Sequence, residues 1–250
     1  MHNKTSSPRL VCFIPARSGS KRIKNKNIRE LNGHPLMAYT IAAAISSNCF
    51  DRVIVCTDSS DYAAIALRYG AEVPFLRNVK SSQDGSPDIE WLTDAVAQLK
   101  AENYNFDGYA ILRPTNPFRT VEAIKRAYRS FVSSPEFDSL RAVSICNEHP
   151  AKMWVIEGDQ LFPIFPFKTN MVPWHSNQKH KLPIVYVQNA SLEIGWKTNV
   201  TEKKSISGEK IKAFKSLDYE GFDLNEPHDW IVMETLLLNG LAQLPSLEMD

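Results

Sequence analysis

With 250 residues the chain is long enough to bury a real core as one large domain with room for an insertion. Its formal net charge of +1 excludes a general basic field of the kind that holds nucleic acid, so any anion must be bound by a local cluster of cations. Four dispersed cysteines without CxxC spacing (Cys12, Cys49, Cys56, Cys146), a polar N-terminus (MHNKTSSPRL) and no run near the ~20 apolar residues of a membrane helix predict free thiols and a cytoplasmic protein that does not enter a membrane.

Residues 10–16 (LVCFIPA) read as a buried strand, followed by a polar, basic segment from Arg17 to Arg29. Residues 35–48 predict a helix with Pro35 in its first turn, and residues 52–57 (RVIVCT) a second buried strand. Asp58 or Ser59 is placed to cap a helix that runs to Tyr69, and Gly70 to stop it. A short third strand is expected over 71–75. The helix expected over 87–101 carries Ile89, Leu92, Val96 and Leu99 on one face. A strand over 107–112, a helix over 120–133 and a strand over 139–146 complete an alternating order. That alternation implies an α/β fold, a mostly parallel sheet covered by helices on both faces.

The alternation breaks near Pro150. Residues 150–183 are rich in proline and aromatics (KMWVI, QLFPIFPF) and read as an inserted arm that packs on something else, such as a second subunit. Strands over 184–188 and 192–197 and a helix over 227–239 follow, within a single domain expected over 8–245. Ligands of open α/β sheets sit beyond the carboxyl ends of the strands. The loops to examine are therefore 17–27, 58–60, 82–86, 113–119 and 188–191.

The first of these holds six cations, Arg17, Lys21, Arg22, Lys24, Lys26 and Arg29, before the first acid, Glu30. Ser18, Gly19 and Ser20 let backbone N–H groups face a phosphate without obstruction. The segment has neither Walker A nor GxGxxG glycines, so cations must share the work with amides. A solvated basic loop has a similar composition; the position directly after a buried strand argues for phosphate binding.

PARSGSK followed by KNKNI strongly resembles the signature of the acylneuraminate (CMP-sialic acid) cytidylyltransferases, and the resemblance runs from residue 10 to about residue 235. It implies a Rossmann-like sheet of the nucleotide-diphospho-sugar transferase type with a small dimerisation insertion. It also implies that Arg17, Ser20, Lys21, Lys26 and Asn27 bind the phosphates of CTP. The family's usual glycine after the first lysine is Arg22 here, which could close the outer side of the loop. FDRVIVCTDS (50–59) also resembles the family, although Asp58 reads foremost as a helix cap after a core strand. In Ser82-Gln83-Asp84-Gly85-Ser86-Pro87, Asp84 and Ser86 could cap the next helix, contact the nucleotide, or do both.

Leu112-Arg113-Pro114-Thr115-Asn116-Pro117-Phe118-Arg119 stands where the family commonly has Gln-Pro-Thr-Ser-Pro-Leu-Arg. Pro114 and Thr115 are assigned to the nucleotide, and Arg113 and Arg119 to the sugar. A guanidinium in place of glutamine can hold a carboxylate bidentately; a plain ion pair is the alternative for Arg113. His149-Pro150-Ala151-Lys152 resembles the segment with a sugar-side cation, Lys152. Gln188 and Asn189 fall where the family lines the sugar pocket, with Ala190 replacing its usual glycine. Phe222-Asp223-Leu224-Asn225 matches the metal segment, with Asp223 and Asn225 as the expected Mg²⁺ ligands. Asn225 stands where an aspartate is usual and could instead cap the helix at Pro227.

The implied reaction is transfer of CMP from CTP to the anomeric hydroxyl of an acidic nine-carbon 2-keto sugar, with release of pyrophosphate by a homodimer. Arg17, Lys21 and Asp223 would carry the catalytic charge. Synthesis of a CMP-octulosonate or another NDP-sugar would share the basic loop, and an inactive nucleotide-binding scaffold is the rival outside enzymes. The six histidines show no paired metal spacing.

Overall fold

The computed structural model describes residues 7–78, 81, 83 and 85–247. β1 (Leu10–Pro15) leads through the basic loop to a small hairpin of β2 (Glu30–Leu31) and β3 (His34–Pro35). Then come α1 (Leu36–Ser46), β4 (Arg52–Cys56), α2 (Ser60–Arg68), α3 (Asp88–Ala101), β5 (Gly108–Ile111), α4 (Val121–Val132) and β6 (Ser139–Ile145). Two short hairpins, β7 (Trp154–Glu157) with β8 (Gln160–Pro163) and β9 (Lys168–Thr169) with β10 (Val172–Pro173), precede β11 (Tyr186–Trp196). α5 (Lys197–Thr201), β12 (Ile211–Lys215) and α6 (Pro227–Leu238) end the chain.

Six strands form one sheet in the order β12-β6-β11-β5-β1-β4. β1 runs parallel to both β4 and β5, and β11 is antiparallel to β5. Because strand side chains alternate, Leu10, Cys12 and Ile14 of β1 pack on one face with Met37 and Ile41 of α1 and Ile124 and Phe131 of α4. Val11 and Phe13 join Trp91, Leu92 and Leu99 of α3 on the other face. Both faces are covered, which explains the almost continuous apolar run of β1. Ser59 and Thr120 cap α2 and α4, each accepting a backbone N–H through its hydroxyl. A third apolar group of Phe118, Leu224, Trp230 and Met233 seats α6 beside the carboxyl ends of the strands.

The chain divides into two compact units. Residues up to Ala142 together with those from Asn189 onward form the first, and Val143–Gln188 the second. The second unit is built from the two short hairpins and leaves large apolar side chains exposed, Ile156 at 70%, Ile184 at 72% and Met171 at 82%. Among the described residues no helix is long and apolar enough to cross a membrane. All four cysteines are unpaired, and burial pushes the Cys56 thiol up to about 12, so it stays protonated at neutral pH.

Three expectations change. Residues 71–75 make a single bridge from Glu72 to Ile54 instead of a strand. α5 and β12 arise where no element was expected. The strands expected over 184–188 and 192–197 are one continuous β11, and Ala190 within it takes a left-handed φ of 55°. A Cβ in that conformation costs roughly 1–2 kcal/mol. Ala190→Gly should therefore raise the melting temperature by roughly 2–4 °C, the shift expected of about 1 kcal/mol in a chain of this size. An unchanged or lower melting temperature would remove the strain.

Candidate active site

The basic loop is fixed at three points. The carboxylate of Asp58, at the end of β4, accepts hydrogen bonds from the Ser18 backbone N–H at 2.7 Å and from its hydroxyl at 2.9 Å. Gly19 next to it has φ of 73°, a region that favours glycine. Asn27, 6% exposed, donates through Nδ2 to the Arg17 carbonyl at 3.1 Å. Lys26 Nζ donates to the Leu224 carbonyl at 2.6 Å, and burial lowers the pKa of this lysine. Arg22, the residue in place of glycine, makes an exposed ion pair with Glu226 at 2.8 Å. Two loop cations thus tie the loop to residues 224–226.

Arg17, Ser20, Lys21, Arg22, Lys26 and Asn27 share one open cleft of about 240 Å³ with Ser86, Arg113, Pro114 and Thr115. It lies beyond the carboxyl ends of β1 and β5. Ser18 and Gly19 shape the turn behind it. Asp84 lies outside the described residues. The sequence reading assigned no role to three polar lining residues, Arg77, Gln83 and Asp88, nor to the apolar Pro15 and Ile23. The Arg77 guanidinium lies 5.3 Å from the centre of the Trp91 ring, hydrogen bonds the Ser81 carbonyl, and has its buried Nε without a partner among the described residues. Burial lowers its pKa.

Arg113 does line the cleft, but not as a bare cation. Its Nη2 donates to Asp88 Oδ2 at 2.7 Å and to Glu193 Oε1 at 3.0 Å. Burial opposes its charge, yet these carboxylates outweigh it and hold the guanidinium pKa above its usual value. Arg119, expected at the sugar, is instead 1% exposed and donates to the Ser191 carbonyl, the Thr40 hydroxyl and the Arg113 carbonyl. Burial brings its pKa down to about 10, so it remains a cation at neutral pH while holding the 113–119 loop against β11 and α1.

Asn189 is 7% exposed; its amide donates to the Ser216 hydroxyl and accepts from the Ser191 N–H, while its carbonyl accepts from Asn116. This is a structural assignment rather than a sugar contact. Lys152 and Gln188 belong to the second unit, where Lys152 donates to the carbonyls of His175 and Asn177.

Asp223 and Asn225 stand beside the residues tied to Lys26 and Arg22. The Asn225 amide nitrogen donates to Asp223 Oδ2 at 2.8 Å, and Asp223 Oδ1 is buried without a partner among the described residues. A lone carboxylate oxygen of this kind suits Mg²⁺, which commonly takes one or two carboxylates together with substrate phosphates and waters. Among the described residues no cluster of three acidic, histidine or cysteine side chains could hold a metal alone. Asn225 does not cap α6; that position is Glu226, in a capping box with Asp229.

A cationic cleft over the carboxyl ends of a largely parallel sheet, with its loop clamped by a strand-end aspartate, is the arrangement of a nucleotide-binding enzyme. Residues 11–153 match the cytidylyltransferase family. The chain is 32% identical over 237 residues to the CMP-N,N'-diacetyllegionaminic acid synthase of Legionella pneumophila, covering 92% of this chain and 96% of that protein. It is 36% identical over 124 residues to the pseudaminic acid cytidylyltransferase of Campylobacter jejuni, about half of each chain. The solved CMP:2-keto-3-deoxy-manno-octonic acid synthetase complexed with CTP superposes with a TM-score of 0.68 over 93% of this chain and 99% of that one, at 12% identity, a likeness of fold. The chain belongs to the cytidylyltransferase family, and so is a nucleotidyltransferase.

Proposed function

We propose that this enzyme transfers CMP from CTP to the anomeric hydroxyl of a nonulosonic acid, a nine-carbon 2-keto sugar acid. The observation that carries the reading is the convergence of Arg17, Ser20, Lys21 and Lys26 on one cleft, in a chain similar over nearly its whole length to a legionaminic acid synthase. The sugar hydroxyl attacks the α-phosphorus, the bond to the β-phosphate oxygen breaks, and pyrophosphate leaves. Such a step depends on positioning and neutralised charge rather than on a covalent intermediate. Arg17 and Lys21 stabilise the charge that moves to the pyrophosphate, and the N–H groups of Gly19 and Ser20 are the donors of the turn, that of Ser18 being held by Asp58. Arg77 brings a further buried donor to the cleft. Asp223, with the amide oxygen of Asn225, is the candidate holder of Mg²⁺. When bound, the metal supplies positive charge to the triphosphate oxygens.

The acceptor is assigned by pyrophosphate release in Mg²⁺, with CTP, ATP, GTP and UTP each tested against neuraminate, legionaminate, pseudaminate and octulosonate acceptors. Release with CTP and one nine-carbon acid supports the reading. Release only with an octulosonate moves the acceptor. CTP binding with no release on any acceptor supports an inactive scaffold. The exposed apolar side chains of Val143–Gln188 and the basis of the arm in residues 150–183 support a homodimer made through this unit. Sedimentation should give twice the monomer mass at micromolar concentration; a monodisperse monomer would end that part of the proposal. Four unpaired cysteines and the use of CTP support a cytoplasmic location.

A further inference from the structure

Resting on the reading above, we propose that Glu193 is a positioning residue for acceptor specificity, which aims Arg113 at a neutral carbonyl oxygen of the sugar, that of an acylamino group, and away from the sugar carboxylate.

Glu193 lies in β11, between β5 and β6, with its side chain 4% exposed. Its two oxygens meet two arginines, Oε1 with Arg113 Nη2 at 3.0 Å and Oε2 with Arg141 Nη2 at 2.9 Å. Asp88, the first residue of α3, takes the same Arg113 Nη2 at 2.7 Å. Its other oxygen accepts from Trp91 Nε1 at 2.7 Å, beneath the Arg77 guanidinium. The two carboxylates therefore fix the plane of the Arg113 guanidinium from one corner.

Two consequences follow from that geometry. Arg113 Nε and Nη1 have no protein partner among the described residues, while the side chain is 22% exposed and lines the cleft. Adjacent N–H groups of a guanidinium can converge on one carbonyl oxygen, which has two lone pairs. Arg113 also already carries two carboxylates of its own, Asp88 and Glu193, which the neighbouring Arg77 and Arg141 share. A third carboxylate arriving here would face two others across a guanidinium already neutralised, whereas a neutral oxygen meets only donors. Arg113 is thus a reader of hydrogen-bond acceptors rather than the counter-ion of the acid.

The test measures acceptor KM for two sugar acids that differ only in carrying an acylamino group or a hydroxyl at the same carbon, with CTP saturating. Losing a hydrogen bond from a charged donor corresponds to roughly tenfold or more. The wild-type enzyme should favour the acylated acid by about that factor, and Glu193→Gln should bring the ratio close to one. KM for CTP should stay within about twofold. Glu193→Gln in an Arg113→Gln background should change the ratio no further, and Arg113→Gln, at a more exposed position, reads the same contact should the first variant fail to fold. A wild-type ratio near one would overturn the inference. So would a preserved ratio with both KM values raised together, or additive effects in the double variant. Absence of turnover by the wild type with every sugar acid removes the proposed function itself, and this inference with it.

Discussion

Lys21→Ala should lower kcat/KM by roughly 10²–10³-fold, the scale of losing one preorganised charge stabiliser in a transition state. Lys21 lines the cleft on an exposed part of the loop, whereas the loop's shape is held by other residues: Asp58 on Ser18, Asn27 on the Arg17 carbonyl, and Lys26 on the Leu224 carbonyl. Removing the side chain therefore takes away charge while those three ties remain. The loss should appear in kcat as well as in KM for CTP, because the pyrophosphate leaving group carries more charge than the bound triphosphate had at those oxygens. Steady-state kinetics with both substrates varied checks this. A rate within twofold of wild type would take Lys21 out of the chemistry.

Arg119→Met should destabilise the fold by about 3 kcal/mol, a fall in melting temperature of roughly 6–12 °C. The competing effects have opposite signs. Methionine relieves the cost of burying a cation, the cost that lowers the Arg119 pKa to about 10. It also strips the hydrogen bonds at 2.6 Å to the carbonyls of Ser191 and Arg113, the second of which keeps the Asn116 N–H at 3.3 Å. Bonds from a charged donor contribute ~1.5–3 kcal/mol each, so the loss of two outweighs the relief. Because the Arg113 carbonyl is one of those acceptors, acceptor KM should rise in the same variant. Urea unfolding at neutral pH measures the first effect. A midpoint equal to wild type would show that the 113–119 loop is held without Arg119.

The sheet and its helices were legible because their signals are local. The apolar runs of β1 and β4, the Ser59 and Thr120 caps and the proline openings of α3 and α6 need no knowledge of distant residues. The basic loop was legible as composition, six cations around Ser-Gly-Ser. What holds that loop was not. Asp58 reads as a helix cap, and only the pairing of β1 with β4 brings it to Ser18, forty residues away in sequence. Glu193 looks like an outward residue of an alternating strand. It is buried because β5 and β6 lie on either side of it and two arginines compensate it. Arg77 sits on an irregular segment with no period to reveal its face. Arg119 illustrates the opposite error, since an arginine beside a ligand loop invites a ligand role until its donors are seen to end on carbonyls. The family resemblance singles out loop residues that share one cleft, but which arginine faces it is a tertiary property.

The account's central claim is most directly tested with CTP labelled at the α-phosphate, incubated with the purified protein, Mg²⁺ and a nonulosonic acid. It predicts that the label moves into a CMP-sugar while one unlabelled pyrophosphate is released for each product formed, and that neither appears when the sugar acid is omitted. Label remaining in CTP, or appearing in free CMP without a sugar product, would contradict it.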